Sequence, residues 1–375
     1  MEFTFDRLYC ECVGKGNGDN LINGYLVLET GEVFSGKLSS KAERAGEVVF
    51  NTSHAGYEEI ATDASYFSQI VVMTAPMMGN YGIDDKVWES NRLWIEGFVC
   101  VQIQHSERDI SWQNRLKEQK IPLLSEIDTR KLVLRLRQGT PWGAIAVANS
   151  VEEAKTRAQT LITEKKKIEK DWVYLVSRKQ SEVRKGENPR GPKMAVMDFG
   201  SKENILRELS HFCSEIKIFN SRASADEIMA YKAHGVMLTN GPGDPGDVQV
   251  AVETVQALLG KTPIFGICMG HQILGLALGA KTYKLKFGHR GSNHPIKDSL
   301  LNRIYMSSQN HGYAVDEKTL PSDVRVTQVN LNDQTVAGLF SEKRKCLGIQ
   351  YHPESCPGPH EGRELFKFFL ERVLL

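Results

Sequence analysis

Between residues 193 and 278 short apolar runs alternate with helical patterns, and this alternation constrains the fold more than any other feature of the chain. MAVMDF, EIKIFN, GVMLTN and TPIFGIC read as strands, separated by KENILRELSHF, SADEIMAYKA and DVQVAVETVQALL and followed by HQILGLALG. Such regularity calls for right-handed βαβ crossovers, hence an open, mostly parallel sheet flanked by helices on both faces. Functional groups in sheets of this kind gather at the carboxyl ends of the strands. The later runs RIYMSSQ, VRVTQVN, TVAGLF and KCLGIQYHPE read as strands, and HEGRELFKFFLERVLL as a closing helix.

The first part of the chain has a different texture. Residues 1–24 are polar and Gly-rich without periodicity and read as a flexible extension. From Tyr25, YLVLETGEVFSGKL alternates apolar and polar residues about a Thr30-Gly31 turn, the pattern of a β-hairpin. Strands are expected at VVMTAP and FVCVQI and an amphipathic helix at DTRKLVLRLRQ, giving a mixed β and α domain over residues 25–150. Residues 151–192, rich in Lys and Glu and ending in RKGENPRGPK, have the composition of a linker. The α/β domain then occupies residues 193–375. A chain of 375 residues is long enough for about two domains, in agreement with this division.

Charge narrows the function. Lys and Arg number 47 against 46 for Asp and Glu, so no electrostatic bias favours nucleic acid or an anionic membrane as partner. The N-terminus lacks the basic start and apolar stretch of a secretory signal, and no apolar run reaches the ~18 residues of a membrane span, so a cytoplasmic location is expected. Seven cysteines, Cys10, Cys12, Cys100, Cys213, Cys268, Cys346 and Cys356, are scattered without a CxxC pair. Neither a disulfide framework nor a metal site is indicated, which leaves reduced thiols.

Cys268 is the thiol with a chemical setting. It stands between the end of an apolar strand and the start of an apolar helix, with Gly266 and Gly270 two residues to either side. This is the thiol version of a nucleophile elbow, where neighbours without Cβ permit a strained turn. The helix N-terminus favours negative charge on the sulfur and is expected to lower the thiol pKa. A buried structural cysteine is the bland alternative, but it leaves the glycine spacing unexplained.

A thiol nucleophile needs a base that later protonates the leaving amine, and GIQYHPE supplies His352 with Glu354 two residues on. In an extended segment these share a face, so Glu354 can orient the imidazole while its other nitrogen faces Cys268. Upstream, TNGPGDPG carries Gly241, Gly243 and Gly246 after a strand. Such a rigid loop can aim backbone N–H groups at a developing oxyanion, together with the Met269 N–H, although an ordinary αβ turn has the same composition.

Other motifs are decoys. GEVFSGKL approaches a phosphate loop, but Leu38 stands where Ser or Thr must hold magnesium. MDFG has no accompanying kinase motifs, and the prolines of HPESCPGPH break the helix that would bring His352, Cys356 and His360 together on a metal.

GICMGHQ, HPE and NGPGDP together resemble the class I (triad) glutamine amidotransferases, whose fold is the sheet inferred above. EVVFNTSHAGYEEIATDASY, EIDTRKL, KFGHRGSNHP and QNHGYAVD narrow the resemblance to the small subunits of glutamine-hydrolysing carbamoyl-phosphate synthase, from about Tyr25 to the last helix. That resemblance implies a Cys268, His352, Glu354 triad that forms a γ-glutamyl thioester and releases ammonia. It further implies that L-glutamine is held by Ser53, Gly241, Gly243, Met269, Gln272, Asn310, Gly312 and Tyr313. Met269 and Tyr313 stand where the family commonly has Leu and Phe, Glu203 replaces a family cation, and Cys356 departs from the usual HPEASPGP.

The implied partner is a large subunit that makes carbamoyl phosphate from bicarbonate for arginine and pyrimidine biosynthesis. ATP and a divalent metal are expected on that subunit, with no cofactor on this chain. The alternatives are the amidotransferase of another synthase, which would lack the FNTS-bearing domain, and a non-catalytic regulatory homologue, which would have no reason to keep all three triad residues.

Overall fold

The computed structural model describes residues 21–104, 106, 112–355 and 357–374. All but the last few residues of the proposed N-terminal extension lie outside these, as does Cys356.

The hairpin forms as its alternation requires: Ile22–Leu28 pairs antiparallel with Val33–Leu38, and Gly31 takes φ +99° at the turn. It opens a closed barrel that continues through Leu123–Ser125, Gly97–Val99, Gln69–Met73, Arg44–Asn51 and Trp142–Val147, the last returning to the first strand. Leu26, Phe34, Val48, Ile70, Val72, Val99 and Ile145 fill one apolar cluster, an interior packed with side chains rather than a pore. The helix Thr129–Leu136 is capped by Asp128, whose side chain accepts from the Lys131 N–H at 2.9 Å.

The stretch with linker composition is folded. Val151–Lys165 is a helix of 15 residues, capped by Ser150, that lays Ala154, Ala158 and Ile162 against Val27, Ala45 and Ala144 of the barrel. Its apolar stripe is narrow and made mostly of alanine, so a Lys- and Glu-rich surface hid it from a composition argument. Glu182–Lys185 then joins the second sheet as an antiparallel edge strand.

That second sheet has ten strands among the described residues. Glu215–Asn220, Lys193–Asp198, Gly235–Leu238, Ile264–Ile267 and Cys346–Ile349 are parallel neighbours in that order, as the strand and helix alternation demands. Clusters on both faces bury Phe199, Val255, Ile273 and Leu274 on one side and Ile205, Leu209, Phe265 and Phe366 on the other. Beyond them the sheet turns antiparallel through Val336–Ser341, Arg325–Asn330, Thr282–Asp298 and Arg303–Val315. Thr282–Asp298 has no clean alternation in sequence, because register shifts after Lys284 and Gly291 break its period. No described helix is long and apolar enough to cross a membrane.

Candidate active site

Ile264–Ile267 runs straight into Cys268, which caps the helix Met269–Ala277 with φ 53° and ψ −102°. For a residue with a Cβ this is strained backbone, held by the Cys268 N–H on the Ile349 carbonyl at 2.8 Å and the Gly270 N–H on the Thr239 carbonyl at 2.9 Å. The flanking glycines are steric requirements. A Cβ on Gly266 would approach the Gly270 carbonyl oxygen to 2.5 Å, and one on Gly270 the Leu238 carbonyl oxygen to 2.2 Å.

The surroundings of Cys268 disfavour the thiolate. Cys268 is buried and its Sγ donates to the Asn310 carbonyl at 3.4 Å. Burial pushes its pKa well above the ordinary thiol range, Asp63 and Glu354 push the same way, and Lys202 and the Met269 N–H only partly oppose them. The helix N-terminus therefore acts in the expected direction but is outweighed by desolvation. A sulfur in this setting depends on a base for its reactivity.

His352 is the candidate. Its N–H donates to the Ser308 carbonyl at 2.9 Å, and its Nδ1 lies 2.7 Å from Glu354 Oε1. A carboxylate only accepts, so Nδ1 carries a proton, and in the neutral ring Nε2 is then the acceptor. Nε2 is buried with no hydrogen-bond partner among the described residues. The segment does not continue extended past His352, as the spacing argument assumed. It turns, the Ser355 N–H reaching back to the His352 carbonyl at 3.2 Å, and Pro353 fits that turn as well as it fits a strand. Burial works against ionisation of Glu354, but His352 and Lys202 win and hold its carboxyl down to about 2.

Lys202 is a member that the sequence argument missed. It is 3% exposed and bridges Glu354 Oε1 at 3.3 Å and Asp63 Oδ2 at 3.7 Å, so it ties the imidazole's partner to a carboxylate of the barrel domain. Asn240 secures the same point, donating to Asp63 Oδ1 at 3.1 Å and to Ser65 Oγ at 2.9 Å. No local pattern announces such a cluster, because its members are single residues on separate elements. Lys202 in GSKENILR, just before an amphipathic helix, was the one available hint. Glu203 beside it pairs internally with Arg178 at 2.9 Å and Arg184 at 2.6 Å.

A cavity of about 490 Å³ opens between the two domains. It brings together Cys268, Gly241, Gly243, Met269, Gln272, Asn310, Gly312 and Tyr313 of the sheet domain, and faces Glu47, Ser65 and Trp142 of the barrel. Gln272 Nε2 donates to the Tyr313 carbonyl at 2.8 Å and so fixes the segment beside it. Gly241 could carry no side chain, since a Cβ would meet the Phe199 carbonyl oxygen at 2.2 Å, and Gly243 takes φ +92°. Ser53 and His352 line a smaller neighbouring cavity with Asp63 and Lys202, and Ser53 Oγ is engaged with Ser292 Oγ at 2.8 Å. Asn310 lines both cavities. The strand Arg303–Val315 thus carries the two halves: its Asn310 carbonyl holds the thiol, and its Ser308 carbonyl holds the backbone of His352.

Among the described residues no group of His, Cys, Asp and Glu is arranged to hold a metal ion. The phosphate-loop decoy is a plain barrel strand, and Asp198 of MDFG accepts from Gly200 and Ser201 N–H groups at 3.0 and 2.7 Å, a structural turn.

Residues 195–372 match the family described as Glutamine amidotransferase class-I, and residues 26–145 match Carbamoyl-phosphate synthase small chain, CPSase domain. Among curated proteins, the carbamoyl phosphate synthase small chain of Symbiobacterium thermophilum is 45% identical over 92% of this chain and 97% of its own length. That of Bacillus caldolyticus is 44% identical over 93% of this chain and 96% of its own, and the chloroplastic small chain of Oryza sativa is 40% identical over 94% and 82%. Two matched domains in the same order, and identity above 40% across nearly the whole chain, place this protein in the carbamoyl phosphate synthase small chain family.

Proposed function

We propose that this chain hydrolyses L-glutamine at Cys268 and delivers the ammonia to a carbamoyl-phosphate synthase large subunit. The observation that supports this most is the pairing of a strained elbow cysteine with a histidine whose Nδ1 is occupied by Glu354 and whose Nε2 is unengaged. The thiol and the backbone N–H of His352 are held by carbonyls two residues apart on one strand, roughly 7 Å along it.

In this reading His352 Nε2 takes the Cys268 proton as sulfur attacks the glutamine amide carbon. The oxyanion so formed is met by the Met269 N–H and backbone of the Gly241 to Gly243 loop. The imidazolium, steadied by Glu354, returns the proton to the departing nitrogen, the C–N bond breaks, and ammonia leaves a γ-glutamyl thioester. Water then attacks the thioester with His352 again as base, releasing glutamate and the thiol. Gln272, Asn310, Gly312 and Tyr313 shape the pocket, and Ser53 contributes from the barrel domain when the domains close over substrate.

Activation of bicarbonate belongs to the large subunit, where ATP and a divalent metal are expected, and the product serves arginine and pyrimidine biosynthesis. Ammonia is protonated near neutral pH, so an enclosed path to the partner is the chemically sensible route.

Purified chain should release ammonia from glutamine, slowly alone and faster with a large subunit, and Cys268→Ser should not. In the complex, nitrogen-15 ammonium added to a reaction running on unlabelled glutamine should leave little label in carbamoyl phosphate. Undiminished turnover in Cys268→Ser would remove the mechanism, and label matching the bulk pool would remove the enclosed path.

A further inference from the structure

One helix of the sheet domain takes its cap from the barrel domain. Glu203–Phe212 is preceded at its N-cap by Lys202, whose ammonium can only donate and makes no cap. The first N–H groups of the helix turn instead to Glu89, in the segment that leads into the barrel strand Gly97–Val99. The Glu203 N–H donates to the Glu89 carbonyl at 3.0 Å, and the Asn204 N–H to Glu89 Oε2 at 3.0 Å. An acidic side chain there meets both the unpaired donors and the positive end of the helix dipole.

Glu89 is fully buried and held from several sides. Its own N–H donates to Thr62 Oγ1 at 3.0 Å, next to Asp63, the carboxylate that bridges to Lys202. Arg207, further along the same helix, donates from Nη2 to the Trp88 carbonyl at 3.1 Å. Burial pushes the Glu89 carboxyl up to about 7, with Lys202 and the Asn204 N–H opposing the rise and Glu354 and Asp63 adding to it. Its Oε1 has no hydrogen-bond partner among the described residues. Carboxyls kept in so unfavourable a setting cluster at functional sites.

The helix start that Glu89 caps also supports the proposed triad. Lys202 Nζ lies 3.3 Å from Glu354 Oε1, and Asn204 Nδ2 donates to the Glu354 carbonyl at 2.5 Å. Side chain and backbone of Glu354 are thus both held from this one point, and Glu354 in turn holds His352 Nδ1. We infer that Glu89 is a positioning residue for the triad: by capping this helix across the domain boundary it fixes Lys202 and Asn204, and through them Glu354 and the orientation of His352. The inference rests on the glutaminase reading and deepens it, because it makes the seating of the barrel on the sheet a determinant of turnover.

Three substitutions separate reach from charge in the full-length chain in complex with its large subunit. Glu89→Ala removes the acceptor, Glu89→Asp keeps the charge but falls one methylene short, and Glu89→Gln keeps an oxygen at the same reach. The Ala and Asp variants should lose about 5-fold in kcat for glutamine hydrolysis with KM unchanged, the scale of one hydrogen bond, while Gln stays within about 2-fold of the wild type. Because Glu89 acts through Glu354, that loss should vanish in a Glu354→Gln background, a coupling read by a double-mutant cycle. A tie that merely holds the domains together gives the same proportional loss in both backgrounds, and such additivity overturns the inference. So does a Glu89→Gln enzyme as slow as Glu89→Ala, or a loss confined to KM. If Glu89→Ala fails to fold by thermal melting, the Asp and Gln variants carry the same comparison. Failure of the underlying reading looks different, since the wild type would then release no ammonia from glutamine.

Discussion

The sheet domain and the barrel domain reach the cavity in different ways. Cys268 directly follows Ile264–Ile267 and His352 lies three residues beyond the adjacent parallel strand Cys346–Ile349, so sheet geometry brings the proposed nucleophile and base to the same edge. The barrel contributes Ser53 and Asp63 from segments between its strands, and these act on groups that the sheet already holds. On the proposed mechanism the contrast is a division of labour: bond making belongs to the sheet, while the barrel faces the cavity and ties Lys202 through Asp63. Substitutions should therefore fall into two classes, those that stop the chemistry and those that shift binding or stability.

Cys268→Ser should have the largest effect, lowering glutamine turnover at least about 1000-fold, with ammonia-dependent synthesis by the complex preserved. His352→Asn should follow closely, since the buried thiol has no other route to ionisation, and Glu354→Gln should be about 100-fold milder. Steady-state ammonia release measures all three, and a Glu354→Gln enzyme slower than His352→Asn would reverse their assigned roles.

Glu354 also has a pH signature. Its folded pKa, about 2, lies below the unfolded value of about 4.3, so its stabilising effect is complete above the unfolded value and lost as pH falls through the folded one. The wild-type melting temperature should drop between about pH 4.5 and pH 2, and Glu354→Gln should flatten that limb. Parallel curves for the two proteins would show that the buried ion network is not what holds Glu354 ionised.

On the barrel side, Asp63→Asn leaves Lys202 with one carboxylate fewer and should destabilise the chain by about 3 kcal/mol, with turnover reduced several-fold rather than abolished. Ser53→Ala should be the mildest, raising the glutamine KM by roughly 5-fold with kcat nearly unchanged, the scale of one hydrogen bond. An inactive Ser53→Ala enzyme would break the division between the domains.

The same division explains what could be read from the residues alone. GICMGHQ and HPE are local: strand, turn and helix signals sit within a few residues of the chemical group, and the glycines around Cys268 are where Cβ atoms would strike backbone. The parallel sheet was legible for a similar reason, since each strand and helix announces itself. Val151–Lys165 was not, because its buried stripe is two alanines and an isoleucine in a run of charges. Lys202 and Asp63 were not legible either, because their meaning lies in burial and in partners that are distant in sequence. The direction of the Cys268 shift was misjudged because a helix N-terminus can be seen in a sequence, whereas the desolvation that outweighs it cannot.

The central claim, that Cys268 attacks glutamine and is carried as a thioester, is tested most directly by acid-quenching the working enzyme with glutamine and mapping adducts by peptide mass spectrometry. The account predicts a γ-glutamyl group on the peptide bearing Cys268, absent from Cys268→Ser and from His352→Asn. Glutamine turnover by the wild type with no adduct under any quench, or an adduct on another cysteine, would contradict it.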